Sequence, residues 1–170
     1  RVNPRVPVPN RYFGVFQDSS LKMRGIETRR RDSPQFVAET QQAILDLLAQ
    51  APDAEALPDC LPEVLHLLRR QIARLRKGRI PPVKLVVGQK LSKTLDEYRD
   101  PSPAARAAVQ LAAVGKTAKQ GQRVRFVYTL GKPGVHAWDL PYPPDPKSVD
   151  APRYITLLLR AASNVLQPLG

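Results

Sequence analysis

The side chains able to do chemistry in this 170-residue chain are mostly cationic, and their spacing suits binding rather than bond breaking. Arg11 with Tyr12, the run Arg29, Arg30 and Arg31, Lys90 with Lys93, and Arg99 each fall at the boundary of a predicted element, where a long side chain reaches outward. A guanidinium forks onto a pair of phosphate oxygens, and a lysine acts as a mobile point charge. Aromatic residues make up 6% of the chain and are not interleaved with the basic ones. That disfavours single-strand binding by base stacking and favours a grip on the backbone of a duplex.

Metal-assisted phosphoryl transfer needs several carboxylates converging on divalent ions, and the acidic residues do not offer that pattern. Asp53, Glu55, Asp59 and Glu63 lie in or beside predicted helix starts, where a carboxylate favours the positive end of the dipole. Asp96, Glu97 and Asp100 form a short turn cluster, a weak candidate for a metal. His66 on a leucine-rich helix and His136 in a loop read as structural. No GxSxG, Walker loop or Cys and His cluster occurs, and the single cysteine, Cys60, has no partner for an intrachain disulfide. A self-sufficient active site is therefore not expected.

The charge is large and segregated. The chain carries 27 Lys and Arg against 15 Asp and Glu, a formal net charge of +12, which points to a polyanionic partner. Residues 1–31 hold eight basic and two acidic side chains, and residues 32–68 hold none basic and seven acidic. The remainder is again basic, ten against two over 69–99 and nine against four over 100–170. The acidic region is expected to face away from a phosphate backbone or toward another protein, while its neighbours face the polymer. No apolar run approaches the roughly 20 residues that span a bilayer, so no membrane partner and a cytoplasmic location, nucleoid-associated if prokaryotic, are expected.

These groups must be positioned by short elements. Three prolines among the first nine residues predict an extended connector, and so abrupt a start is expected of a segment of a longer protein. Residues 12–16 and 21–26 pattern as a hairpin around a polar turn at 17–20. Ser33 and Pro34 then predict a helix entry, Ser33 as cap and Pro34 as first helical residue, with Phe36, Val37, Thr40, Ile44, Leu47 and Leu48 inward. Asp59 opens a second helix with Leu61, Val64, Leu65, Leu68, Ile72 and Leu75 on one face. Its last turns are crowded with Arg69, Arg70, Arg74, Arg76 and Lys77 before Gly78. A strand is predicted over 83–87, an alanine-rich helix from Ser102 and Pro103 to near Gly115, a half-buried strand over 123–130, and a Pro- and Gly-rich loop over 131–149. Asp150 and Pro152 start the last helix, with Ile155, Leu158, Leu159, Ala162, Val165 and Leu166 inward. The fold class is α+β, mainly α.

In this order the segments resemble the C-terminal part of a family B DNA polymerase, the end of the palm followed by the thumb. The landmarks are Arg11-Tyr12-Phe13-Gly14, Arg24-Gly25-Ile26-Glu27, Arg30-Arg31-Asp32 and Glu39-Thr40-Gln41. Further on come Pro81-Pro82-x-Lys84-Leu85-Val86, Leu91-Ser92-Lys93, Glu97-Tyr98-Arg99, Gly121-Gln122-Arg123-Val124, Asp145-Pro146 and Asp150-x-x-x-Tyr154. Each piece is weak alone, and their collinear order over nearly the whole chain is strong.

The resemblance implies that residues 1–31 are the palm end with its β-hairpin and that 32–170 are a helical thumb with a small antiparallel sheet. It implies that Arg11 and Tyr12 track the primer strand, that Arg30 and Arg31 support the primer-template at the junction, and that Lys90, Ser92, Lys93 and Arg99 hold the duplex backbone. The partners implied are primer-template DNA and the polymerase's palm and fingers. The Mg²⁺-holding aspartates belong to the missing part of the palm, so this chain needs no cofactor of its own and is expected to be inactive alone. The sequence departs from the family pattern at Asn10, where lysine is usual, at Ala104, where histidine is common, and at Arg153, where the first of two tyrosines stands. Two alternatives share the charge map: a stand-alone basic nucleic-acid-binding module, and a scaffold whose acidic block is the interface. A hidden nuclease centred on Asp96 and Asp100 is the remotest.

Overall fold

Local signals start the helices, and non-local pairing decides the rest. The computed structural model describes residues 12–15, 21–24 and 32–169. Strands β1 (Tyr12–Val15) and β2 (Leu21–Arg24) pair antiparallel with Tyr12 opposite Arg24, which is the expected hairpin. Helix α1 (Gln35–Leu48) follows, and its cap is Pro34 rather than Ser33. Pro34 has an extended ψ of 142° and no side-chain hydrogen bond caps the helix, so the proline stands just outside the first turn. A 3-10 turn at Leu57–Cys60 precedes α2 (Leu61–Arg76), which therefore starts two residues after the predicted Asp59. Gly78, at φ 64°, closes it in the left-handed region that glycine enters without steric cost.

The predicted strand at 83–87 is displaced. Pro81 and Pro82 impose a 3-10 turn over Pro82–Leu85, and β3 runs over Val87–Lys90 instead. Helix α3 (Pro103–Ala113) begins as expected, with Ser102 Oγ accepting the Ala105 N–H. Strand β4 (Arg123–Tyr128) is the middle of an antiparallel sheet ordered β3, β4, β5, and β5 (Val135–Ala137) lies inside what patterned as loop. Helix α4 (Ala151–Leu166) is capped by Asp150, whose carboxylate accepts the Arg153 N–H. The α+β, mainly helical class expected from the sequence is the class observed.

Two layers bury the core. Helices α1, α2 and α4 pack on one another, and α3 lies on β4 and β5, its Ala104, Ala105, Ala107 and Ala108 fully buried so that helix and sheet approach closely. Val64, Leu67, Leu68 and Leu75 face inward from α2, while Leu65 is 47% exposed, so Leu67 takes the core position assigned to it. In α4 the inward set is Tyr154, Leu158, Ala161, Ala162 and Val165, and Leu159 is likewise outside. Buried Gln41 of α1 donates from Nε2 to the Ala161 carbonyl at 2.8 Å, a polar stitch between α1 and α4.

Tyr154 makes the second stitch. The β3 to β4 register pairs Val87 with Phe126, and extended by two residues it would set Leu85 against Tyr128. The 3-10 turn carries Leu85 out of the ladder. The Tyr154 hydroxyl fills the gap, donating to the Leu85 carbonyl at 2.6 Å and accepting the Tyr128 N–H at 3.0 Å. Burial pushes that phenol far above its ordinary pKa of 10, so it keeps the proton it donates. Gln110 of α3 performs a related task at the outer side of β5, donating to the Val135 carbonyl and accepting the Ala137 N–H, both at 2.8 Å.

Candidate nucleic-acid interface

The end of β3 gathers the cations. Strand register sets Lys90 directly opposite Arg123, and Lys90, Ser92, Arg123, Gly88, Gln89, Ser102 and Asp32 line one recess of about 610 Å³. Like charges opposed across a ladder repel unless an anion lies between or one side chain is turned aside. Arg123 is held by a 2.6 Å bond from Nη1 to the Gly88 carbonyl, its aliphatic stem lying over Gly88. A Cβ on Gly88 would stand 3.1 Å from the Arg123 Cδ, so glycine gives the guanidinium stem its seat.

The segment after β3 is tied from three directions. Leu91 continues the ladder, donating to the Gln122 carbonyl at 2.9 Å and accepting the Gly121 N–H at 2.7 Å. The Gln120 amide donates to the Ser92 carbonyl at 2.9 Å, and the Tyr98 hydroxyl accepts the N–H groups of Ser92 and Lys93 at 3.2 Å each. Thr94 and Glu97 close a reciprocal capping box around the 3-10 turn Leu95–Glu97. Hydrogen bonding to Thr94 lowers the Glu97 carboxyl below its ordinary value. Glu97, one of the weak metal candidates, is thus a cap. Among the described residues no three His, Cys, Asp or Glu side chains come together as a metal site.

Of the residues expected to bind, Lys90, Ser92, Lys93 and Arg99 are exposed, and Lys90 and Ser92 share the recess. No hydrogen bond or ion pair among the described residues engages the side chains of Lys90, Lys93 or Arg99. Tyr12 opens β1, whereas Arg11, Arg30 and Arg31 lie outside the described residues. Arg123, Gln89 and Ser102 join the recess without having been singled out as site residues. Arg123 was detectable only as the exposed start of an alternating strand, since the register that sets it against Lys90 is non-local. Arg153, where the family pattern has tyrosine, stacks its guanidinium 3.9 Å from the centre of the Tyr128 ring.

Elsewhere the surface changes sign. Ala43, Leu47, Leu67 and Pro62 line a cleft of about 560 Å³ between α1 and α2 that also takes in Asp46, Glu63, His66 and Arg70. His136 bonds through Nε2 to the Tyr142 carbonyl at 3.0 Å. Among the described residues no helix is long and apolar enough to cross a membrane.

The sequence and fold have counterparts among known proteins. The family model described as DNA polymerase family B matches residues 10–169. The DNA polymerase of Thermococcus sp. (strain 9oN-7) is 25% identical over 164 residues, covering 94% of this chain and 20% of that protein. DNA polymerase 1 of Saccharolobus solfataricus is 23% identical over 160 residues, with 94% and 18% covered. In structure, the family B DNA polymerase from the hyperthermophilic archaeon Pyrobaculum calidifontis matches with a TM-score of 0.73 at 23% identity, over 95% of this chain and 21% of that one. The chain thus spans about a fifth or less of the length of these relatives.

Proposed function

The chain belongs to DNA polymerase family B, and from that membership we propose that it is the part of such an enzyme that grips primer-template duplex behind the site of synthesis. In this reading residues 32–170 are the thumb and residues 1–31 the end of the palm. Nucleotidyl transfer and its Mg²⁺ ions belong to palm carboxylates outside this chain, and its partners are duplex DNA and the remaining palm and fingers. Lys90, Ser92, Lys93 and Arg99, with Arg11, Tyr12, Arg30 and Arg31, supply the contacts.

One observation carries the proposal. Lys90, Ser92 and Arg123 line one recess with Asp32, Arg123 is seated against the Gly88 carbonyl, and Lys90 makes no ion pair among the described residues. Such a charge arrangement is completed by a phosphate, and phosphate contacts carry no sequence preference, as a surface passed by every product sequence requires.

The test is binding of a labelled duplex to the full chain at rising salt. Each neutralised phosphate contributes about 0.9 to the slope of log affinity against log salt, so Lys90→Ala with Lys93→Ala should reduce it by about 1.8. An unchanged slope, or binding indifferent to salt, would refute the clamp and favour a protein-binding scaffold.

A further inference from the structure

Tyr98 stands behind the loop that carries Ser92 and Lys93, and its hydroxyl decides what that loop can offer. Every backbone N–H from Leu91 to Thr94 is taken within the protein: by Gln122, by Tyr98 twice, and by Glu97. No amide there remains for an anion, so contact with a phosphate falls to side chains alone. The two amides aimed at the Tyr98 oxygen occupy both its lone pairs. Its own proton is left for the Ser92 Oγ, 3.2 Å away. Ser92 then receives a hydrogen bond from inside, and its own hydroxyl proton is free to point out. A phosphate oxygen only accepts, so an outward serine proton is the useful state.

We propose that Tyr98 is a positioning residue for duplex binding, holding the Ser92 hydroxyl as an outward hydrogen-bond donor and the Lys93 backbone in register beside it. The proposal rests on the clamp reading above. It makes the exposed turn a pre-ordered phosphate contact, since the loop need not be ordered when the duplex arrives.

The experiment measures duplex affinity for the full chain carrying Tyr98→Phe, Ser92→Ala, the double substitution, Ser92→Thr, and the reference Lys90→Ala with Lys93→Ala. Tyr98→Phe keeps the ring and removes only the oxygen. It should weaken binding about five- to tenfold, and Ser92→Ala should do the same. The double substitution should be no worse than the more damaging single one, because one residue acts through the other. Ser92→Thr keeps the hydroxyl and should keep the affinity. Hydrogen exchange at the Ser92 and Lys93 amides should quicken in Tyr98→Phe.

Wild-type affinity in Tyr98→Phe, or effects of the two single substitutions that simply add, would overturn the inference while a weakened lysine reference left the clamp standing. Wild-type affinity in the lysine reference would remove the clamp itself. Should Tyr98→Phe lower the melting temperature enough to blur binding, Ser92→Ala at its exposed site decides alone, and undiminished affinity there ends the proposal.

Discussion

Replacing Tyr154 with phenylalanine removes one oxygen and leaves two buried backbone groups facing a gap. The Leu85 carbonyl loses its 2.6 Å donor and the Tyr128 N–H its 3.0 Å acceptor, at a side chain that is fully buried. An unsatisfied buried backbone group costs about 1–3 kcal/mol, so the pair costs about 2–6 kcal/mol. The two groups lie in register across the gap and partial closure of the strands recovers some of that, which puts the net loss at about 3 kcal/mol. For a domain of this size about 3 kcal/mol lowers the melting temperature by ~6–12 °C. The assay is urea and thermal unfolding followed by circular dichroism, with Tyr142→Phe as the control. Tyr142 is 56% exposed and its hydroxyl makes no hydrogen bond among the described residues, so Tyr142→Phe should cost no more than about 0.5 kcal/mol. A Tyr154→Phe loss below about 1 kcal/mol would refute the bridging role and mean that Leu85 and Tyr128 find each other, or water, without it.

Gln41→Ala removes the buried bond to Ala161 and leaves a void between α1 and α4, at a cost of about 2–3 kcal/mol in denaturant unfolding. Asp150→Ala removes the cap of α4 and should cost about 1 kcal/mol by the same measurement. Lys84 and then Gln35 hold the Glu39 carboxyl below its ordinary 4.5. A carboxyl with a depressed native pKa stabilises above its unfolded value, and that contribution disappears as pH falls through the native one. Both partners are largely exposed, so a comparison of wild type with Glu39→Gln should show a difference under about 1 kcal/mol at pH 7 that vanishes on acidification. Arg30→Ala with Arg31→Ala should weaken binding equally for unrelated duplex sequences in a competition assay, and loss for one sequence alone would reveal base readout.

The features legible in the sequence are those whose cause lies within a few residues. Ser102-Pro103 and Asp150 with Pro152 each place a cap beside a proline, and both helices start there. At α1 the same signal points one residue early, because Pro34 can sit either inside or just outside the first turn. Strand β3 starts late because Pro81 and Pro82 turn the chain through Leu85, and where it then joins the ladder is set by Val124 and Phe126 opposite it. Strand β5, three residues long, exists only through β4 and Gln110. The site divides in the same way. Lys90, Ser92 and Lys93 stood out by type and position, whereas Arg123 comes to Lys90 through register and Tyr98 acts through a hydroxyl that no pattern of polarity reveals.

The amide of Gln110 imitates a peptide group. It receives and donates at Val135 and Ala137 as a neighbouring parallel strand would, so β5 has no open row of donors and acceptors along that stretch. The margin of a sheet is where a second chain can add itself and begin an aggregate. Here a single side chain of α3 occupies the place where such an intruder would dock, and self-association by strand addition is closed off at that border.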